Sequence, residues 1–106
     1  MVHKGNVLSQ AEVENFHLDG VIVPKFRLPA DKLSLLQELA DKLIVENPQM
    51  GDEPITSPHV PNSGIQGVKS DPRWIEIPTF PPIVDIVEQL IGPDVVLWGT
   101  TFFHKP

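Results

Sequence analysis

The chain has no cysteine, which removes disulfides, thiolate metal sites and cysteine nucleophiles together. Arginine is scarce, with Arg27 and Arg73 the only two, and eight Lys+Arg against fourteen Asp+Glu leave a net charge of −6. A surface that tracks phosphates needs the opposite balance, so nucleic acid is not an expected partner. No apolar run approaches the roughly 20 residues that span a bilayer, and Met1-Val2-His3-Lys4-Gly5-Asn6 lacks the apolar core of a signal peptide. A membrane partner is not expected either, and a soluble protein of the reducing cytoplasm is. GxSxG, P-loop, dinucleotide-binding glycine and HExxH patterns are all missing, and with them the common acyl-transfer, phosphate and zinc-hydrolase signatures.

What remains is 106 residues, one domain's worth of chain or less. Twelve prolines are about twice the usual share, yet with seven glycines they stay below the level of a low-complexity sequence. Ser9 and Glu12 form a capping-box pattern, with Leu8 and Val13 placed for a hydrophobic staple, and Gly20 supplies a left-handed stop. A short helix over about 10–19 follows. Val21-Ile22-Val23, β-branched throughout and stopped by Pro24, reads as a short strand. Pro29, Asp31 and the helical recurrence of Leu33, Leu36, Leu39, Ala40, Leu43 and Ile44 predict the longest helix, about 29–46, whose leucine stripe is core. Glu38 and Lys42 stand four apart as an ion pair on its wet side, and Asn47-Pro48 ends it.

Eight prolines fall between Pro48 and Pro82. They exclude regular helix and central strand, so 48–82 reads as a long loop, a candidate substrate-facing lid. Trp74, Ile75 and Ile77 argue for partial docking of it, and Asp71-Pro72-Arg73-Trp74 for one capped helical turn. Ile83, Ile86, Val87, Leu90 and Ile91 then predict a helix over about 82–91, closed by Gly92-Pro93. The uncharged run Val95–Phe103 predicts a strand long enough for the centre of a sheet. Such a strand needs ladder partners on both sides, and Val21–Val23 is too short to protect it. The chain therefore reads as the N-terminal portion of a larger sheet, completed by further sequence or by another chain.

Few residues carry chemistry. His17-Leu18-Asp19 has the HxD spacing of a two-histidine, one-carboxylate iron site, with His59 as a formal third ligand. On a helix, positions i and i+2 point to nearly opposite sides, so His17 is read as a helix-terminal histidine facing the dipole. His59 and His104 have no spacing that pairs them with a carboxylate and read as solvated histidines. Asp52-Glu53, and Asp85 with Glu88, read as exposed acids.

Several segments, in order, resemble the phytanoyl-CoA dioxygenase family of iron(II) and 2-oxoglutarate oxygenases. Gln10–Pro24 is similar to the family's opening helix, Asp-Gly turn and strand. Leu28-Pro29-Ala30-Asp31-Lys32-Leu33 is similar to the start of its leucine-rich helix. Ile83–Thr100 is similar to its later helix, Gly-Pro-Asp turn and first long strand, and Phe103-His104-Lys105-Pro106 to the Phe-x-Lys-Pro that ends that strand. The resemblance covers almost the whole chain but only the N-terminal part of a typical member. It implies an α+β protein: a helical layer and the first strands of a double-stranded β-helix, or jelly roll, incomplete in this chain. It also implies a parent enzyme that uses Fe(II) and 2-oxoglutarate to hydroxylate a small molecule or acyl-CoA-type substrate.

The family's HxD, distal histidine and arginine lie further along, so no catalytic residue, no metal ligand and no bound cofactor is expected of this chain alone. One position carries over. Lys105 matches a lysine that can lie near 2-oxoglutarate, where an ammonium gives charge-assisted hydrogen bonds, although a solvated lysine is an equal reading. Strand alternation puts Leu97, Gly99, Thr101 and Phe103 on the side of Lys105, toward a barrel interior, and Trp98 and Phe102 toward the helices. Thr101 and Phe103 would then face the pocket or simply fill the barrel. The rival reading is a small non-catalytic interaction domain that completes a partner's sheet.

Overall fold

The computed structural model describes residues 6–60 and 66–105. Three helices and one two-stranded antiparallel sheet make a mixed α+β architecture, in the order α1 (Gln10–Asp19), α2 (Ala30–Glu46), β1 (Ile55–Thr56), α3 (Pro81–Ile91) and β2 (Thr101–Phe102). The chain divides into two compact units. One comprises Met1–Leu28 with Thr79–Val96, the other Pro29–Pro78 with Leu97–Pro106.

In the first unit α1 forms as its caps dictate. The Ser9 side chain accepts from the Glu12 N–H, the Glu12 carboxylate accepts from the Ser9 N–H, and Gly20 takes φ 76°. The other oxygen of Glu12 accepts from the Lys25 N–H at 3.0 Å, so one carboxylate holds both the start of α1 and the segment that leaves it. These backbone donors keep the Glu12 carboxyl below its ordinary range. The expected strand at Val21–Val23 does not form: no ladder runs through it among the described residues. Exposure does alternate from Val21 to Leu28, as in an extended chain with one face inward. Pro24 offers no donor, and the next N–H is already bound by Glu12. α3 packs on α1. From it the Gln89 side-chain amide accepts from the Leu8 N–H at 2.8 Å and donates to the Leu8 carbonyl at 3.2 Å.

The second unit holds the main core. Leu39 and Leu43 of α2 are buried against Ile55, Val68 and Trp74, with Leu35, Leu36, Ala40, Met50 and Phe102 packed around them. Parts of the proline-rich stretch are packed: Ile55, Pro58, Val68 and Trp74 are all buried. The helical turn expected after Asp71 is a 3₁₀ turn, Pro72–Glu76, with Asp71 as its cap. The Glu38–Lys42 pair expected within α2 is replaced by longer-range partners. Arg73 reaches Glu38 at 2.7 Å and Asp71 at 2.9 Å, and Lys42 reaches Asp71 at 3.1 Å. The Arg73 fork, Nε with Nη2, is aimed at Asp71, and Nη2 also meets Glu38.

Asn47, buried at the end of α2, fastens the loop. Its Nδ2 donates to the carbonyls of Leu43 and Lys69, and its Oδ1 accepts from the Lys69 N–H. The expected strand 95–103 is paired only at Thr101–Phe102, in register Ile55↔Phe102 and Thr56↔Thr101, with one further bond from the Ser57 N–H to the Thr100 carbonyl. Its partner lies in the proline-rich stretch, where no strand is expected, because Ile55-Thr56 is a two-residue strand closely flanked by Pro54 and Pro58.

Candidate functional site

The expected site residues lie along β2 and its flanks. In an antiparallel ladder only alternate residues turn their backbone groups toward a given neighbour. The Ser57–Thr100 bond and the register assign Thr100 and Phe102 to β1, so Thr101 and Phe103 turn their N–H and C=O groups to the opposite edge. Their side chains alternate as well. Phe102 lies inward with its ring 5.6 Å from Trp74, while Thr101, Phe103 and Lys105 are exposed, Phe103 at 75%. The structure therefore brings Thr101, Phe103 and Lys105 to one side of the strand, and that side is open. Trp98, expected to face the helices, is instead 99% exposed. The ladder ends at Thr100, so nothing fixes the pleat that would have turned it inward.

Two histidines differ from the solvated reading. His59 is half-buried, its Nδ1 3.0 Å from the Thr100 Oγ1, and this contact ties the loop after β1 to the start of β2. His104 is half-buried too, stacked on Phe102 at 6.5 Å and 15°, and its Nδ1 is buried without a hydrogen-bond partner among the described residues. The His59 contact was not recognisable from spacing, because Thr100 is brought near by the β1–β2 pairing, whereas His104 meets its near neighbour along the chain, Phe102. His17 is exposed in the last turn of α1, its ring edge-on to Phe16 at 5.7 Å.

The strongest electrostatic feature is the Glu38, Lys42, Asp71 and Arg73 cluster, which the sequence reading passed over. Hydrogen bonds from the Arg73 side chain hold the Asp71 carboxyl far below the usual carboxylate range, and Asp71 in turn raises the Arg73 guanidinium. Two cations face two anions there, so the cluster is internally balanced and joins elements of the core. Asp71-Pro72-Arg73 was legible as a cap and Glu38 with Lys42 as an i,i+4 pair, but not that the two would meet.

Tested against the groups the resemblance implies, these residues do not fit iron. No three His, Asp or Glu side chains converge among the described residues. Thr101, Phe103 and Lys105, all exposed, do not by themselves enclose a dicarboxylate. No helix is long and apolar enough to cross a membrane among the described residues. Compared with known proteins, the chain matches no protein-family model, no curated protein and no solved structure.

Proposed function

We propose that this chain is the N-terminal portion of a cytoplasmic non-haem iron(II)/2-oxoglutarate dioxygenase similar to the phytanoyl-CoA dioxygenase family. It would contribute the helical layer and first strands of a jelly roll to an enzyme that hydroxylates a small molecule or acyl-CoA-type substrate. The observation that carries the reading is the open side of β2 among the described residues: backbone groups of Thr101 and Phe103 turned away from β1, with Trp98 and Phe103 exposed. Soluble sheets do not leave such an edge bare, so strands that continue this sheet are called for. The metal ligands and the arginine that grips 2-oxoglutarate would come with those strands. Lys105, on the exposed side of the strand, would add one charge-assisted hydrogen bond to a co-substrate carboxylate.

The test is to read the frame beyond the Pro106 codon and assay its full product. The expected result is an HxD, a later His and a following Arg, with Fe(II)-dependent conversion of 2-oxoglutarate to succinate. Lys105→Ala should then raise the KM for 2-oxoglutarate by roughly tenfold, the loss of one charged hydrogen bond. A frame without those residues, or a product that turns over no 2-oxoglutarate, overturns the proposal. A frame of that kind whose product binds another protein's sheet would support the sheet-completing reading instead.

A further inference from the structure

The two edges of the β1–β2 sheet are finished differently. Ile55 turns its backbone toward Phe102, so the outer edge of β1 presents the Pro54 carbonyl and the Thr56 N–H. Both are taken by one side chain. Gln66 Nε2 donates to the Pro54 carbonyl at 2.9 Å, and Gln66 Oε1 accepts from the Thr56 N–H at 3.0 Å and the Thr56 hydroxyl at 3.4 Å. In a parallel ladder a residue donates to the carbonyl before its opposite number and accepts from the N–H after it. The Gln66 amide makes that same pair of bonds across Ile55, in the place of a parallel strand's peptide. Pro54 and Pro58 add no donors to this edge, and among the described residues no side chain covers β2 in this way.

We propose that Gln66 is an edge plug, closing β1 to strand addition by a second copy of this chain. The incoming segment would be the run Leu97–Phe103 of that copy, which carries no charge and exposes Leu97, Trp98 and Phe103. The consequence is one of symmetry. With only the β2 edge open, copies meet edge to edge and association stops at a pair. With both edges open, β2 of one copy meets β1 of the next, and this head-to-tail contact repeats without closing. The inference rests on Gln66 together with the β2 edge left unpaired among the described residues, the edge the proposed function also uses, and exchange at Thr56 reports on Gln66 alone, so the two readings fail separately.

Gln66→Met keeps the length of the side chain and deletes the amide. Exchange of the Thr56 amide, followed by NMR, should quicken at least about tenfold while Leu39 and Leu43 keep their protection. Light scattering should show continued growth where the wild-type chain stops at a monomer or pair, and adding Thr101→Lys should halt that growth. Unchanged Thr56 exchange overturns the proposal, as does faster exchange without growth. If Leu39 and Leu43 lose protection as well, Gln66→Glu decides: it still accepts from Thr56 but cannot donate to Pro54, and growth must exceed wild type for the proposal to stand.

Discussion

Among single residues, Asp71 and Asn47 hold the second unit together in different ways. Asp71 caps the 3₁₀ turn and binds Arg73 and Lys42, both of which remain partly open to water. Asp71→Ala should therefore cost about 1–2 kcal/mol, as for a lost helix cap, measured by urea denaturation. Its carboxyl is depressed in the folded state, so its contribution is present above the unfolded carboxylate value of about 4 and is lost as pH falls from there toward the lower folded value. Melting temperature should drop on acidification below about pH 4, and less steeply in Asp71→Asn. Asn47 is 3% exposed and pairs with the peptide group of Lys69 at both ends of its amide. Asn47→Ala leaves the partly buried N–H and carbonyl of Lys69 without that partner and should cost about 1–2 kcal/mol in the same measurement.

At the level of elements, periodicity and caps made the helices legible. Ser9, Glu12 and Gly20 bounded α1, and the leucines of α2 and isoleucines of α3 recur with their faces, so those boundaries agree to within a residue. The strands were not legible in that way. Val21–Val23 has the composition of a strand but lost its ladder to Pro24 and Glu12, and Ile55-Thr56 lacks any pattern two residues could show. The candidate site was readable only as alternation along 101–105. The His59–Thr100 contact depends on the pairing of β1 with β2, which no local signal announces, whereas His104 on Phe102 is a contact along one extended segment. Leu39, wholly buried, should lose about 2–5 kcal/mol on change to Ala, whereas Leu18, at 82% exposure, should stay within about 0.5 kcal/mol. Parallel denaturation curves check both.

Across the whole molecule, three side-chain amides do what a larger sheet would ordinarily do for backbone groups. Gln89 serves Leu8, Asn47 serves Lys69, and Gln66 serves Pro54 and Thr56. Each amide takes up backbone groups that no ladder reaches among the described residues, including the outer edge of β1. A lid over a substrate would be expected to exchange freely, but Ile55, Val68 and Trp74 of the proline-rich stretch are built into the core of the second unit. Hydrogen exchange at Val68 and Trp74 should match that of α2. Protection far below α2 would count against this account.

The two tryptophans, finally, give the molecule an optical handle that no labelling could improve. Trp74 is enclosed against Phe102 while Trp98 stands free in water. Iodide should therefore extinguish the red-shifted emission of one and spare the blue emission of the other. The blue component alone then follows the melting of the leucine core, and the red component dims or shifts only when something settles onto the bare strand.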